Sequence, residues 1–134
     1  MNRRVITTVC AITSALFLLL IGMLHSVVNF SGLQRALGRG EIAARLGSSV
    51  LVNAVFSGVM LSVLGLLVLL VLPGLRAGSR QARRVATAIG TFIAILGVAG
   101  YLWVPTRPGV LIFLVFGVLL VAPLLIWRRE YSDP

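Results

Sequence analysis

The fold is decided by the longest apolar stretch of the chain, residues 47–72, which runs GSSVLVNAVFSGVMLSVLGLLVLLVL. The stretch contains no Asp, Glu, Lys or Arg, and its Val and Leu residues lack the apolar–polar alternation of a membrane β-strand. As a helix it would be about 39 Å long, which exceeds the roughly 30 Å of a bilayer's hydrocarbon core. These residues therefore predict a helix that crosses a membrane.

Three further stretches have the same character, and Pro73-Gly74, Pro105 and Pro108 separate them as helix breakers. The chain has 59% hydrophobic and 11% charged residues, whereas a soluble domain has about 25% charged residues. We therefore expect an all-α integral membrane protein, folded as an antiparallel four-helix bundle and as a single domain over residues 1–134. The predicted helices cover about 5–28, 47–72, 85–104 and 110–127.

The first apolar stretch has a second interpretation, because Arg3 and Arg4 precede it as they would in a signal peptide. A signal peptide has an apolar region of about 7–15 residues, followed by a small-x-small cleavage site. Residues 5–28 are longer, and no convincing cleavage site follows them. We therefore expect a retained first helix.

The arginines predict the orientation, since cytoplasmic loops of membrane proteins carry the excess of basic residues. All 12 basic residues are Arg, and a four-pass model divides them eight to four. The eight on one side place both termini in the cytoplasm; they are Arg3, Arg4, Arg76, Arg80, Arg83, Arg84, Arg128 and Arg129. The opposite side has Arg35, Arg39, Arg45 and Arg107. Of the cytoplasmic set, Arg76, Arg80, Arg83 and Arg84 are predicted to contact lipid headgroups.

Small residues recur at helical spacing and predict where the helices approach each other. They include Ala11/Ala15 and Gly22/Ser26 in the first helix, Gly58 and Gly65 in the second, Ala86, Gly90, Ala94 and Gly97 in the third, and Gly117 in the fourth. These Gly/Ala faces fit either packing within the chain or a contact with a protein partner or a second copy. The sequence leaves both interpretations open.

The loop between the first two helices, residues 29–46, resembles a short amphipathic helix. Ser31 and Gln34 have the spacing of a capping box at a helix start. Leu33 and Leu37 then fall on one face, and Gln34 and Arg35 on another. We expect this helix to lie at the outer interface, although Gly38 and Gly40 would weaken it to a partly irregular lid.

Polar residues gather toward the outer side of the four-pass model. His25 and Asn29 are four residues apart and so share a helix face, and Asn53 lies about two turns into the second helix. Tyr101 and Trp103 end the third helix on the same side, where Glu41 is the only acid of the outer loop. Their convergence predicts a polar vestibule, with Asn29, Asn53, Tyr101 and Trp103 as ligand-contacting residues.

Each of these residues also has a purely structural interpretation. His25 can be an interfacial side chain bonded to a carbonyl, and Asn53 can join two helices. Tyr101 and Trp103 fit the aromatic belt at the membrane interface. Glu41 can pair with Arg45, four residues further on.

Several functional classes are excluded by the residues present. A proton-coupled exporter needs an acid within a helix, and the apolar stretches have none. His25 is the only histidine and Cys10 the only cysteine, so bis-histidine haem ligation and a cysteine metal cluster within one chain are ruled out. We expect no metal, no cofactor and no nucleic-acid partner, since no soluble basic module is present.

Three segments resemble those of small, uncharacterised bacterial four-helix membrane proteins, distantly similar to the DoxX-like family. They are Ile21-Gly22-Met23-Leu24-His25, Phe56-Ser57-Gly58 with Leu64-Gly65-Leu66-Leu67, and Val104-Pro105-Thr106-Arg107-Pro108-Gly109. The resemblance implies a four-helix bundle in the bacterial cytoplasmic (inner) membrane. It carries no catalytic residue over to this chain.

Two functions from different classes fit these observations. The first is a non-enzymatic accessory subunit, or a binder of lipid or a small apolar molecule, whose partners are membrane lipids and a possible second protein. The second is a small isomerase- or cyclase-like enzyme for an apolar substrate. In that case His25 would be the acid/base, with Glu41 or Asn29 orienting it.

Overall fold

The computed structural model describes residues 3–106 and 108–131, and within these ranges the chain is helical and contains no strand. Four α-helices follow one another: α1 (Arg3–Gly38), α2 (Ala44–Ala77), α3 (Arg80–Trp103) and α4 (Leu111–Ile126). Short 3-10 helices cover Pro108–Val110 and Arg128–Glu130. The all-α prediction is confirmed. α1, α3 and residues Arg45–Ala77 of α2 are long and apolar enough to cross a membrane, whereas the apolar α4 is shorter.

α1 extends ten residues beyond its predicted end and includes most of the supposed first loop. Ser31 lies inside α1 and donates a hydrogen bond to the Val28 carbonyl at 3.0 Å, so it does not cap a new helix. The side chain of Leu37 packs closely against Gly47 of α2, which gives the added turns a packing partner. In the described chain, the polar and apolar residues at 29–38 are therefore the last turns of α1, and only residues 39–43 connect it to α2.

α2 also continues past its predicted end, through Pro73 to Ala77. Proline removes one backbone hydrogen bond, but apolar helices tolerate it where neighbouring groups compensate. Gly78 follows the last residue of α2 and has a φ of 85°, which glycine adopts without strain. Ser79 then caps α3 by accepting a hydrogen bond from the Ala82 backbone N–H at 3.3 Å. Two residues are therefore enough to connect α2 to α3.

The chain forms two compact units, whose boundaries fall inside α1 and α2. The hairpin unit is Leu16–Leu66, and the terminal unit comprises Met1–Ala15 and Leu67–Pro134. Because both boundaries lie within helices, α1 and α2 each contribute residues to both units.

Within the hairpin unit, α1 and α2 run antiparallel in close contact at Gly22 and Gly58. A methyl group placed on Gly22 would lie 2.5 Å from the Gly58 carbonyl oxygen, and one on Gly58 would collide with Ser26 and the Gly22 carbonyl. The Ser26 hydroxyl also donates to the Val55 carbonyl at 3.2 Å. The small residues Gly22 and Gly58, together with Ser26, therefore pack α1 and α2 of one chain against each other.

Within the terminal unit, α3 and α4 pack antiparallel through a second set of small residues. Gly90 and Ala94 face Gly117, and Gly97 faces the backbone of Leu114. The Ser14 hydroxyl of α1 donates to the Phe116 carbonyl of α4 at 3.1 Å. The core of this unit is apolar and includes Ala11, Ala15, Val68, Leu75, Ile93, Leu120 and Leu124.

Candidate functional site

The predicted vestibule residues belong to different units. His25, Asn29, Glu41 and Asn53 lie in the hairpin unit. Tyr101 and Trp103 lie in the terminal unit, near the end of α3, and both are exposed. The convergence of all six residues on one mouth therefore stays a prediction. Arg107, which was assigned to the same side, lies outside the described residues.

The hairpin unit brings His25 and Asn29 together, as their spacing predicted. The Asn29 amide nitrogen lies 3.0 Å from Nδ1 and 2.9 Å from Nε2 of the His25 ring, and both side chains are half-buried. An amide N–H can donate to whichever ring nitrogen carries no proton. A groove of about 520 Å³ lies on the same unit, but its lining residues include Ser26 and Ser62 and not His25.

Glu41 is not close to His25. α1 continues for 13 residues beyond His25, which is about 20 Å of helix, and Glu41 follows in the connection after it. Its carboxylate forms an exposed ion pair with Arg39, with 2.6 Å between Oε1 and Nε. Glu41 therefore pairs with Arg39 and not with the expected Arg45, because residues 39–43 form a turn with no four-residue helical spacing.

Asn53 lies on an exposed face of α2, together with Ser49 and Ser57 at four-residue intervals. The Ser57 hydroxyl donates to the Ala54 carbonyl at 3.1 Å, whereas the structure gives the Asn53 amide no hydrogen bond within the described chain. Asn53 is eight residues after Arg45, about 12 Å along the helix. In a membrane-spanning α2 this amide would face hydrocarbon.

A groove runs between α3 and α4 of the terminal unit, and no site predicted from the sequence corresponds to it. Its volume is about 590 Å³, it is open along one side, and all of its twelve lining residues except Thr91 have apolar side chains or none. The lining residues are Thr91, Ala94, Ile95, Val98, Ala99, Leu102, Leu114, Gly117, Val118, Val121, Ala122 and Leu125. The alanines at 94, 99 and 122 leave space in the groove that larger side chains would fill, whereas Gly117 lies against the α3 backbone. Their spacing was the signal available in the sequence.

A cluster of arginines surrounds the end of the terminal unit where α3 begins and α4 ends. Arg3 pairs with Glu130, with 3.2 Å between Nη1 and Oε1, and Arg4 donates to the Glu130 carbonyl at 3.1 Å. These contacts hold the first turn of α1 and the residues after α4 at the same end of the unit. Of the predicted headgroup residues, Arg76, Arg80 and Arg84 are exposed and Arg83 is half-buried.

Comparisons with known proteins add no assignment. No protein-family model matches this chain, and no curated protein or solved structure matches it significantly. The DoxX-like resemblance therefore stays a prediction. Within residues 3–106 and 108–131, no three His, Cys, Asp or Glu side chains lie close enough together to hold a metal ion.

Proposed function

We propose that this chain is an integral protein of the bacterial cytoplasmic membrane that binds a lipid or a small apolar molecule without catalysing a reaction. The observation that carries the proposal is the open apolar groove between α3 and α4. An apolar groove of this volume is in the range of ligand-binding sites in proteins. Because its lining has almost no hydrogen-bonding groups, it favours a hydrocarbon ligand over a polar one.

The proposed arrangement is a four-helix bundle that crosses the membrane four times, with both termini in the cytoplasm. The excess of arginine at the end of α2 and the start of α3 supports this orientation. The contacts of Arg3 and Arg4 with Glu130 support an even number of crossings, because they join the two ends of the described chain. The last turns of α1 would then lie at the outer interface as its amphipathic segment.

Native mass spectrometry of the protein in mild detergent tests the groove, using one variant that fills it. Val98 lines the groove and is 42% exposed, whereas Val85 lies on the same helix outside its lining and is 38% exposed. We expect the wild-type protein and Val85→Trp to retain a bound lipid or other apolar molecule, and Val98→Trp to lose it. Equal retention by both variants would contradict binding in this groove.

A role as a subunit, in contact with a second copy of this chain, is favoured by the exposed amide of Asn53. Gly22 and Gly58 already pack within the chain, so the exposed α2 face of Ser49, Asn53 and Ser57 is the better candidate for the contact. An asparagine amide both donates and accepts, so two copies related by a two-fold axis can pair through it. The same mass spectra report the copy number. Asn53→Leu should convert a dimer to a monomer if this amide joins the two chains.

The enzyme alternative is supported only by the contact between His25 and Asn29. Its second proposed group, Glu41, lies in the turn after α1, where its backbone N–H donates to the carbonyl of Ala36, eleven residues or about 17 Å of helix beyond His25. This alternative predicts that His25→Ala abolishes conversion of an apolar substrate that the membrane fraction otherwise transforms. Unchanged conversion in that variant would exclude the mechanism.

A further inference from the structure

The groove between α3 and α4 has ends of different charge. On α3, Thr91, Ile95, Val98 and Leu102 form a stripe at three- and four-residue spacing, and Arg84 lies on the same stripe two turns before Thr91. On α4 the lining ends at Leu125, and Arg128 and Arg129 follow within four residues. The opposite end of the groove is bounded by Leu102, with the exposed indole of Trp103 next to it. One end is therefore cationic, and the described part of the other end is apolar and aromatic.

The described residues at the cationic end are rich in arginine and poor in acid. In the described part of the terminal unit, eight arginines are accompanied by a single acid, Glu130, which is paired with Arg3. Arg84, Arg128 and Arg129 are exposed on the groove side of α3 and just after α4. Such an excess attracts an anion, and arginine suits a phosphate because its guanidinium can donate two parallel hydrogen bonds.

Two buried polar atoms near the same end have no hydrogen-bond partner. In residues 3–106 and 108–131, Nε of Arg83 and the hydroxyl oxygen of Thr87 are the buried side-chain atoms in this state. They are four residues apart and so lie on one face of α3, beside the stripe that lines the groove. The chain itself shields both atoms and neither residue lines the groove, so they are not contact points for a ligand; what the half-buried Arg83 adds to this end is its positive charge.

The length of the groove fits one hydrocarbon chain. From Thr91 to Leu102 the α3 wall is about 16 Å long, and the α4 wall from Leu114 to Leu125 is equally long but displaced toward the arginines, because Gly97 lies against Leu114 and Gly90 against Val121. The groove therefore runs from the cationic end along most of α3 and opens sideways, where a lipid acyl chain can enter it directly.

From these observations, and resting on the proposed lipid-binding function, we infer that the groove holds one acyl chain of an anionic phospholipid whose phosphate is bound by Arg84 and Arg128, with Arg83 adding its positive charge. A zwitterionic lipid fits less well, because its choline or ethanolamine group would bring another positive charge among the arginines. A free phosphate or a nucleotide would leave the apolar groove unused.

The test is a lipid titration of the full-length protein in detergent, followed by native mass spectrometry. The probes are dioleoyl phosphatidylglycerol and dioleoyl phosphatidylcholine, which have the same acyl chains and differ in headgroup charge. We expect the wild-type protein to bind phosphatidylglycerol about tenfold more tightly than phosphatidylcholine, since each arginine near an anionic headgroup adds to the attraction.

The variant Arg83→Gln/Arg84→Gln should lose this preference and keep its affinity for phosphatidylcholine. Its matched control, Arg35→Gln/Arg45→Gln, removes the same charge from two exposed arginines of the hairpin unit and should keep the preference. Should the first variant fail to fold, Arg128→Gln/Arg129→Gln replaces it, because these exposed residues follow the end of α4.

The outcomes separate the inference from the function on which it rests. Equal affinity of the wild-type protein for both lipids, or an equal loss of preference in the Arg35/Arg45 control, would overturn the anionic headgroup site. If either of these results were found and Val98→Trp nevertheless prevented the binding of phosphatidylcholine, the groove would remain the lipid site and only the anionic headgroup site would fail. If Val98→Trp changed the binding of neither lipid, the proposed function itself would fail.

Discussion

Individual small residues determine how closely the helices of each unit approach. At Gly22 and Gly58 the two backbones are in contact, so that neither position has room for a side chain. Lipid provides little hydrophobic force between helices, and such close packing replaces it. These positions were identifiable from the sequence because Gly22 and Ser26 are four residues apart, as are Gly58 and Ser62.

Gly58→Val should destabilise the hairpin unit, because its side chain would collide with Ser26 and the Gly22 carbonyl. Overpacking of this kind costs about 1–3 kcal/mol, and here the obstacle includes backbone, which cannot rotate away. We expect a clear loss of thermal stability by circular dichroism in detergent. Gly32→Ala is the control, since a methyl group there meets nothing within 4 Å and should be neutral or stabilising. Equal stability of the two variants would argue against the close contact.

The polar residues were harder to interpret than the glycines. The spacing of His25 and Asn29 predicted their contact, because both lie on a regular helix. The predicted pairing of Glu41 with Arg45 was wrong, because Glu41 does not lie on a regular helix. Its expected pairing with Arg45 assumed a helix at residues 39–43, where the chain turns through Gly40 with a φ of 71°.

At the scale of elements, the apolar stretches located all four helices of the described chain but not all of their ends. The second predicted end, at Leu72, assumed that Pro73 stops a helix, yet α2 continues to Ala77. The first, at Val28, assumed that polar residues end a helix, yet α1 continues to Gly38. Hydropathy reports which residues suit lipid. A helix can extend into the polar interface, where backbone hydrogen bonds remain favourable.

The α3–α4 pair allows a graded test of its packing. A methyl group on Gly90 would meet the Val121 side chain at 2.6 Å, while the nearest backbone atom, the Gly117 carbonyl oxygen, would be 3.2 Å away. A methyl group on Gly97 would collide with the backbone nitrogen of Leu114, which only a shift of the whole helix could relieve. Gly97→Ala should therefore destabilise the protein by about 1–3 kcal/mol, and Gly90→Ala by less. Thermal or denaturant unfolding of the two variants, measured side by side, gives the order. The reverse order would show that the backbones of α3 and α4 are closer together at Gly90 than at Gly97.

The groove between α3 and α4 depends on the same element-scale packing, and the sequence alone did not reveal it. The sequence shows that Ala94, Ala99 and Ala122 have small side chains, but it does not show whether neighbouring side chains fill the space beside them. A site was instead predicted among His25, Asn53 and Tyr101, because polar residues within apolar membrane segments are rare and often functional. Which of these residues meet depends on tertiary arrangement, and that information is not contained in hydropathy.

For the whole molecule, the distribution of arginine predicts a definite orientation, and labelling of single cysteines can test it. In a Cys10→Ser background, Ala43→Cys lies in the exposed connection between α1 and α2, and Gln81→Cys is exposed near the start of α3. We expect a membrane-impermeant maleimide to label the protein with Cys at 43 in intact cells. The protein with Cys at 81 should react only after permeabilisation. The opposite pattern would place both termini outside.

The length of α1 and α2 has a consequence for the lipid that surrounds them. Residues 5–34 and 46–75 each contain 30 positions without a charged side chain, about 45 Å of helix, whereas the helical residues 85–103 contain 19, about 28 Å. In the membrane-spanning arrangement proposed above, a thin bilayer would suit α3 and α4 and force α1 and α2 to tilt. A thick bilayer would suit α1 and α2 and would have to thin locally around α3. Each ångström of mismatch costs a fraction of a kcal/mol, so the protein is sensitive to the acyl-chain length of its host membrane and should be most stable in a bilayer of intermediate thickness.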